Sequence, residues 1–539
     1  MANPLSTSVK GLMAAGRAIA TTSHNIANAN TEGYSRQRVL NATSQPSKVG
    51  AGYIGTGVTT TRIERIHNEF VEKQLQNSTT ELARLSTYNN LASQLDSLVH
   101  EDSSGINKAQ IEFFNTLENS ANYPQGMGQE EVVFSAANHL VGQFKALDRQ
   151  LEEIEDGVHR SIDAALVEVN QITGAIHDIN NQVRQALVFA QGEPPNDLLD
   201  QRDQLLQRLS GFTSVSTYEK NDGSIDVAIG GGIPLVSSSE HYSLTAVSNG
   251  NSRDAYEIRI DGVVGSIPLN NQINGGKLGG MIEALSEMIT PVRGEIGRMA
   301  TSLSSSFNQM YETSTLLPGS ALFSVPQIVP LSDADNTGTG VVSAVVVDSS
   351  ALTTSDYELK FDGIEYTVRR LSDNVEISGP GSLVMDGVQF TDAGGSAAGD
   401  RYIIRPTKGA ASGFSVAVNK PADIVLTRTE VSGVVATVGQ ELSAIQNENL
   451  LGVNSSLAEQ IAAVTVRVGS SAHTSDLQLT SMQQVWQQTR DRHDSTSAVN
   501  LDEEAANLVR FQQAYEASAR VISVAGSLFD TLIGTLNRI

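Results

Sequence analysis

Apolar residues recur at every seventh position at both ends of this chain. Leu5, Leu12, Ile19 and Ile26 do so near the N-terminus. Leu501, Leu508, Tyr515, Ile522, Phe529 and Leu536 do so near the C-terminus, with Phe511, Ala525, Leu532 and Ile539 three residues after their neighbours. A seven-residue repeat is a stripe along a helix, and it needs another helix to cover it. The two stripes therefore pair with each other, or with copies in other subunits, or both. Each buried Leu or Ile contributes roughly 1.5–3 kcal/mol. A seam of this length is worth on the order of 10 kcal/mol before ordering costs.

Composition removes several classes of function. Sixty acidic residues against 36 basic ones give a net charge of −24, with no long Lys/Arg cluster. That argues against a nucleic acid partner. Cysteine is absent, which removes disulfides, thiolate metal sites and a Cys nucleophile. No stretch approaches 18 consecutive apolar residues, so no membrane-spanning helix is expected. The N-terminus lacks the apolar core of a secretory signal. On these grounds alone the chain reads as cytoplasmic.

The fold class reads as mainly α with an inserted β part. A first helix is expected from about residue 4 to 28, with Pro4 suited to its first turn and Asn30 or Gly33 able to take positive φ at its end. Residues 43–61 read as loop or short strand, and a second helix carries Phe70 to Leu98. From Val133 to Leu187 apolar residues step by four and three almost without a break, which predicts one helix of about 85 Å. A stutter in that repeat falls between Ile154 and Ile162. Pro194 and Pro195 end it, and Asn196 is placed to cap a helix from Asp197 to Ser210. Strands follow, with Asp261-Gly262 as a hairpin signal, and then helix again over about 275–311. Six of the 14 prolines fall in residues 318–421. There a strand at 341–348 and hairpins around Asp362-Gly363 and Asp386-Gly387 describe an inserted all-β domain. After Pro421 helix dominates. The expected division is 1–62 plus 490–539 as a terminal coiled-coil assembly domain, 63–317 plus 425–489 as a long-helix domain with a β part at about 213–270, and 318–424 as the β insert. Because the chain leaves through the middle and returns, both termini reach one end.

Chemistry-bearing motifs are weak. His24 stands alone and reads as structural. Asp333, Asp335 and Thr337 resemble the start of a calcium loop, but the twelfth position is Ala344 where a bidentate Glu is needed. The glycine runs 230–232 and 275–280 lack a phosphate-loop pattern. There is no HExxH, and no nucleophile elbow attached to a triad. No catalytic residue, cofactor or metal is expected.

Two segments carry a family resemblance. NIANANTEGYSRQ (25–37) and VNLDEEAANLVRFQQAYEASARVI (499–522) resemble the paired terminal motifs of bacterial flagellar axial proteins: the rod, hook and hook-associated subunits. Asn25, Asn28 and Asn30 offer uncharged hydrogen bonds for tight packing. Gly11, Ala14, Ala15, Gly16, Ala18 and Ala20 leave the first helix slim. Asn500 is placed to cap the last helix with Glu503 three residues on. DLLDQRDQLLQRLS (197–210), following a long helix, is similar to the junction-forming hook-associated members. The resemblance implies a structural subunit that joins hook to filament by self-assembly. It implies an extracellular place in the flagellum, reached by type III export without a cleaved signal peptide, which reverses the cytoplasmic reading. The implied partners are its own copies, the hook subunit, the next hook-associated subunit, and an export chaperone on the C-terminal helix, with no nucleic acid and no membrane. The implied assembly interface is Leu5, Leu12, Ile19, Ile26, Asn25, Asn28 and Asn30 with Leu501, Leu508, Tyr515, Ile522, Phe529 and Leu536. A hook or distal-rod subunit is the alternative position. An enzyme with its site in the middle domains is the alternative class.

Overall fold

The structure is a computed structural model. It describes residues 4–50, 52–100, 105–122, 128–190, 193–237, 240–248, 256–260, 269–270, 272–333, 335–429, 435–447 and 455–536. The Asp261-Gly262 signal and Ile539 lie outside the described residues.

Helix α1 (Pro4–Ala27) runs antiparallel to the last helix of the chain, Leu501–Leu536. Asn25 bonds Glu504 and Gly11 faces Ser518, which fixes the direction. The helix ends in a turn in which Gly33 takes φ +77°, while Asn30 does not appear among the positive-φ residues. Strand β1 (Gln37–Thr43) then pairs antiparallel with a strand at Val58–Arg65, with a small hairpin at their tip, Ser47–Val49 with Gly52–Ile54. Of the loop or short strand expected over 43–61, the short strands form, and they pair. Their polar Thr and Arg positions face outward, so no apolar alternation announced the pairing.

Helix α2 (Glu69–Val99) is capped by the Asn68 side chain. It packs along the antiparallel 41-residue helix Leu457–Ser497, which opens with a Ser456/Glu459 capping box. Thr465 to the Val99 carbonyl, Ser475 to Asn89 and Trp486 to Thr79 pin the pair at three levels. After α3 (Ile106–Asn122), helix α4 (Gln129–Phe189) covers 61 residues, about 90 Å. The apolar ladder expected along it is buried from Val133 to Val183. Helix α5 (Asn196–Ser210) follows. Asn196 is its first residue and does not cap it; its amide bonds the terminal hairpin at the Ile63 carbonyl, 3.1 Å away.

A three-stranded meander, Val215–Glu219, Ile225–Ile229 and Ile233–Val236, and a hairpin, Leu244–Ser248 with Tyr256–Ile260, lie on α4. Two asparagines of α4 hold them as a neighbouring strand would. The Asn180 amide both donates to and accepts from Ile225, and Asn170 does the same with Leu244. Helix α6 (Gly276–Ala284) continues through a π turn, Leu285–Ile289, into α7 (Thr290–Thr315). The π turn ends two residues before Pro291, which has no N–H to give the preceding turn.

Two cores result. One joins the α2–α7 region to residues 411–472. The other belongs to residues 342–404 alone. The latter fills the space between a five-stranded sheet and a three-stranded sheet, both antiparallel. Its two Asp-Gly hairpins form as the sequence indicates. At the second, Asp386 and Gly387 both take positive φ, as a tight two-residue turn requires. A further short hairpin, Thr427–Thr429 with Val435–Thr437, comes before helix resumes. The insert leans on the helical body where Thr407 covers Gly294 and Gly297; a Cβ on Gly297 would lie 1.9 Å from the Thr407 carbonyl oxygen. Lys408 reaches Glu155, and Glu155 shares the buried Arg293 with Asp148.

Candidate functional site

The two chain ends meet in a polar clasp where the terminal helix pair joins the body. Asn25, 1% exposed, is its centre. Its amide donates to the Gln37 carbonyl at 2.9 Å and to Glu504 at 3.0 Å. Its oxygen accepts from the Tyr34 hydroxyl at 2.8 Å and from the Gln37 N–H at 3.0 Å. All four hydrogen-bonding positions of the amide are therefore filled, which removes the cost of burying it.

Arg36 closes the clasp on the other end of the chain. Its Nε donates to Glu504 at 2.7 Å, and its two terminal nitrogens grip Glu503 at 2.7 and 3.0 Å. Its N–H donates to the Ser497 carbonyl at 2.8 Å. Asn500 caps the last helix through the N–H groups of Asp502 and Glu503. The Glu503 carboxylate goes to Arg36, so the cap is not the reciprocal box that the spacing suggests. The Glu503 and Glu504 hydrogen bonds hold the Arg36 guanidinium above its usual pKa, against the effect of burial. Arg36 in turn holds Glu503 below the usual carboxylate range.

Helix α5 supplies the third side. Asp197, Asp200 and Asp203 recur every third residue, so they share one face. Asp197 accepts from the Gln37 side chain at 3.0 Å. Asp200 accepts from the Ser35 N–H at 3.1 Å and from Arg65 at 2.8 Å, and Asp203 accepts from Arg65 at 2.6 Å. Gly33 lies against this helix: a Cβ there would meet Gln204 at 3.2 Å. Burial pushes the Tyr34 hydroxyl pKa well up, reinforced by Asp197, Asp200 and Glu504. Tyr34 therefore stays a neutral donor. His24 stacks edge-on against its ring and meets its hydroxyl at 3.0 Å, the structural role read for a lone histidine. Just behind, burial next to Asp203 raises Glu72 to about 7, with Arg65 opposing.

The seam residues are only partly brought together. The face of α1 that is buried consists of small and polar residues: Ala14, Ala15, Ala18, Thr21, Thr22 and Asn25. Leu12, Ile19 and Ile26 are half-buried, and Leu5 is exposed. On the last helix, α10 in chain order (Leu501–Leu536), Leu508 and Ile522 are half-buried, whereas Leu501, Tyr515 and Phe529 are exposed. Asn28 bonds within its own turn, to the His24 carbonyl and Thr31, and Asn30 is exposed. Arg65 belongs to the clasp but was not singled out from the sequence; Arg36, Asp200, Asp203 and Glu504 lie inside the quoted motifs without this role, and Glu503 was read only as the partner of the Asn500 cap. The three-residue spacing of the aspartates was the available signal.

Among the described residues no three His, Asp or Glu side chains gather as a metal-binding group. Asp333 accepts from the Asp335 N–H, and Asp400 accepts from the N–H groups of Thr337, Gly338 and Ala397, a hydrogen-bonded turn. No described helix is long and apolar enough to cross a membrane.

Comparison with known proteins agrees along the chain. Residues 5–34 match the flagella basal body rod protein family, and residues 492–535 match the flagellar basal body rod FlgEFG protein C-terminal family. Residues 92–323 match the flagellar hook-associated protein FlgK helical domain, and residues 331–406 the D2-like domain of flagellar hook-associated protein 1. The chain is 29% identical over 550 residues to flagellar hook-associated protein 1 of Salmonella typhimurium, covering 99% of this chain and 100% of that one. It is 28% identical over 544 residues to the Escherichia coli protein of the same name (99% and 100%) and 26% over 545 to that of Bacillus subtilis (98% and 97%). The flagellar hook junction protein FlgK of Burkholderia pseudomallei shares the fold with a TM-score of 0.70 at 20% identity, over 78% of this chain and 100% of that one. The terminal pair and its clasp thus belong to a bacterial flagellar axial protein. Within that class the chain belongs to the hook-associated protein 1 family.

Proposed function

We propose that this protein is a structural subunit of the flagellum that joins hook to filament, assembling through its terminal helices. The observation that carries the reading is the incompletely covered seam. The clasp ties α1 and α10 into one antiparallel pair, yet Leu5, Leu501, Tyr515 and Phe529 stay exposed and Leu12, Ile19, Ile26, Leu508 and Ile522 are only half-buried; the side chain of Leu536 lies outside the described ones. A pair of helices has one mutual face, so the remaining apolar surface is left for neighbours. In this reading the residues of the terminal seams contact axial neighbours: copies of itself, the hook subunit and the next hook-associated subunit. Asn25 acts indirectly, by holding the pair in register.

The same reading divides the chain into a terminal assembly unit, a long-helix unit and an outer β insert with its own core. It places the protein outside the cell after type III export, with a chaperone on the C-terminal helix beforehand, and assigns it no catalysis. Immunogold labelling of isolated flagella tests it. Label confined to the hook–filament boundary, and filaments shed into the medium when the protein is removed, are the expected results. Label along the hook or the rod would replace this position with the alternative one.

A further inference from the structure

One face of α4 holds the β part of the body through side chains spaced along the helix. His159 stacks on Tyr256, with ring centroids 4.5 Å apart and planes at 12°. Asp163 accepts from the Tyr256 hydroxyl. Asn170 is bonded to Leu244, and Asn180 to Ile225. His177 stands seven residues after Asn170 and three before Asn180, so it shares their face. Its ring lies beside that of His241, with centroids 5.6 Å apart and planes at 40°.

His241 belongs to the link between the meander and the hairpin. Its backbone is fixed there by a bridge to Val236, and the next N–H, of Tyr242, donates to the Leu235 carbonyl at 2.8 Å. Asp163, Asn170 and Asn180 all find hydrogen-bond partners in the β part. His177 does not: its Nδ1 is buried and has no partner. Such an atom costs free energy until something meets it. The neighbouring ring meets it with no hydrogen bond, and the tilt between the two rings is not the parallel stack of His159 and Tyr256. Two imidazoles on one tetrahedral ion, each nitrogen about 2.0–2.1 Å from it, hold their centroids roughly 5 Å apart. His241 is exposed and His177 half-buried, so the pair is open to solvent on one side.

We propose that His177 and His241 together bind a divalent late transition ion of the zinc type, with water in its remaining positions. Imidazole suits zinc, nickel and copper, whereas calcium and magnesium take oxygen ligands. The ion clamps the link onto α4 between the two asparagine contacts. Its ligands lie 64 positions apart and meet only in the folded chain, so binding stabilises the β part on the helix. No short spacing connects them, which is why the sequence does not announce the pair. The proposal stands apart from the junction reading and does not depend on it.

Calorimetric titration of the purified full chain with zinc chloride tests it. One zinc per chain is expected to bind at the pair. Losing even an outer-shell partner of a metal costs about 10–100-fold in affinity, so His177→Gln and His241→Ala are each expected to weaken this binding at least about tenfold. His241 is exposed, so its variant keeps the test valid if His177→Gln folds poorly; thermal melts without zinc compare both with the wild type. His139→Ala removes an exposed histidine beside Glu112 and is expected to leave the binding unchanged. Zinc is also expected to slow amide exchange over residues 240–244 in the wild type and in neither pair variant, and calcium to slow it in none. No zinc binding, binding that survives His241→Ala, equal loss in His139→Ala, or unchanged exchange over 240–244 each overturns the proposal.

Discussion

At the scale of single residues, the clasp concentrates more hydrogen-bonding capacity than any seam position. Removing one partner of a buried, hydrogen-bonded ion pair costs about 3–5 kcal/mol. Glu504 is 2% exposed on its side chain, while Arg36 keeps Glu503 at 2.7 Å when Glu504 is lost. Glu504→Ala is therefore expected near the lower limit, about 3 kcal/mol. It should appear as faster amide exchange along α1 with the body unaffected. Equal exchange in the variant and the wild type would show that the clasp does not hold the pair. Glu72 gives a pH test. Its pKa rises from 4.5 to about 7 on folding. A carboxyl group with a raised folded pKa adds stability below its unfolded pKa, and that stability is lost as pH rises through the folded value. Stability around α2 and α5 should thus fall between pH 5 and 7, by at most about 3 kcal/mol. Glu72→Gln should flatten that dependence in thermal melts; an unchanged profile counts against the assignment. None of this was legible beforehand. Asn25 and Arg36 lie in a segment that sequence alone identifies, and Asn25 is partly satisfied locally by Tyr34 and Gln37, but their bonds to Glu504 span 479 and 468 positions, and side-chain pairing across such distances leaves no local pattern.

At the scale of elements, legibility followed periodicity. The α4 ladder, the two Asp-Gly hairpins of the insert and the long terminal helices each carry a strict repeat or a turn with one backbone solution, and they fold as their patterns indicate. The terminal hairpin was read only as loop or short strand, without its pairing, because its strands are polar on most positions. The heptads were read as a seam for another helix, in the same chain or in a neighbouring copy; within the chain it is the alanines and threonines of α1 that are covered. Small residues let helices approach closely, and a one-sided pair buries the closest stripe before the bulkiest. Leu508 is half-buried against α1, so Leu508→Asp introduces a carboxylate into a seam where an unpaired charge costs several kcal/mol on assembly. The expected outcome is a soluble protein with unchanged melting of its body and loss of junctions in electron micrographs. The exposed Glu516→Gln should assemble normally. Wild-type junctions from Leu508→Asp would remove this helix face from the assembly surface. Gly297→Ala tests another element contact. With the Thr407 carbonyl so close, overpacking is expected to cost about 1–3 kcal/mol and to loosen the insert from the body without melting the insert core.

At the scale of the molecule, stability is unevenly distributed, and that follows from which residues reach each core. The larger core draws on residues from Ala92 to Ala472 and the insert keeps its own, but no residue of α1 or α10 belongs to either. Among the described side chains of the terminal pair, only Ala14, Ala15 and Ala18 are buried apolar residues. Helices without a covering core are marginal in water, so the clasp and one slim interface must hold about 60 residues (24 plus 36) in place. The leave-and-return order of the chain already implied that the ends would lie together. What it could not convey was how little they bury, because burial depends on neighbours that one sequence does not contain. Limited proteolysis of the dilute protein should therefore remove both ends first and leave a fragment from about Ile63 to between Val485 and Ser497, where the helix packed along α2 ends. That fragment is expected to melt within about 2 °C of the full chain, since its core is intact and surface losses of this kind are small. Protection of α1 and α10 equal to that of α4 in the dilute monomer would mean that the pair is complete without neighbours, and the case for an assembly surface along its exposed seam would fall with it.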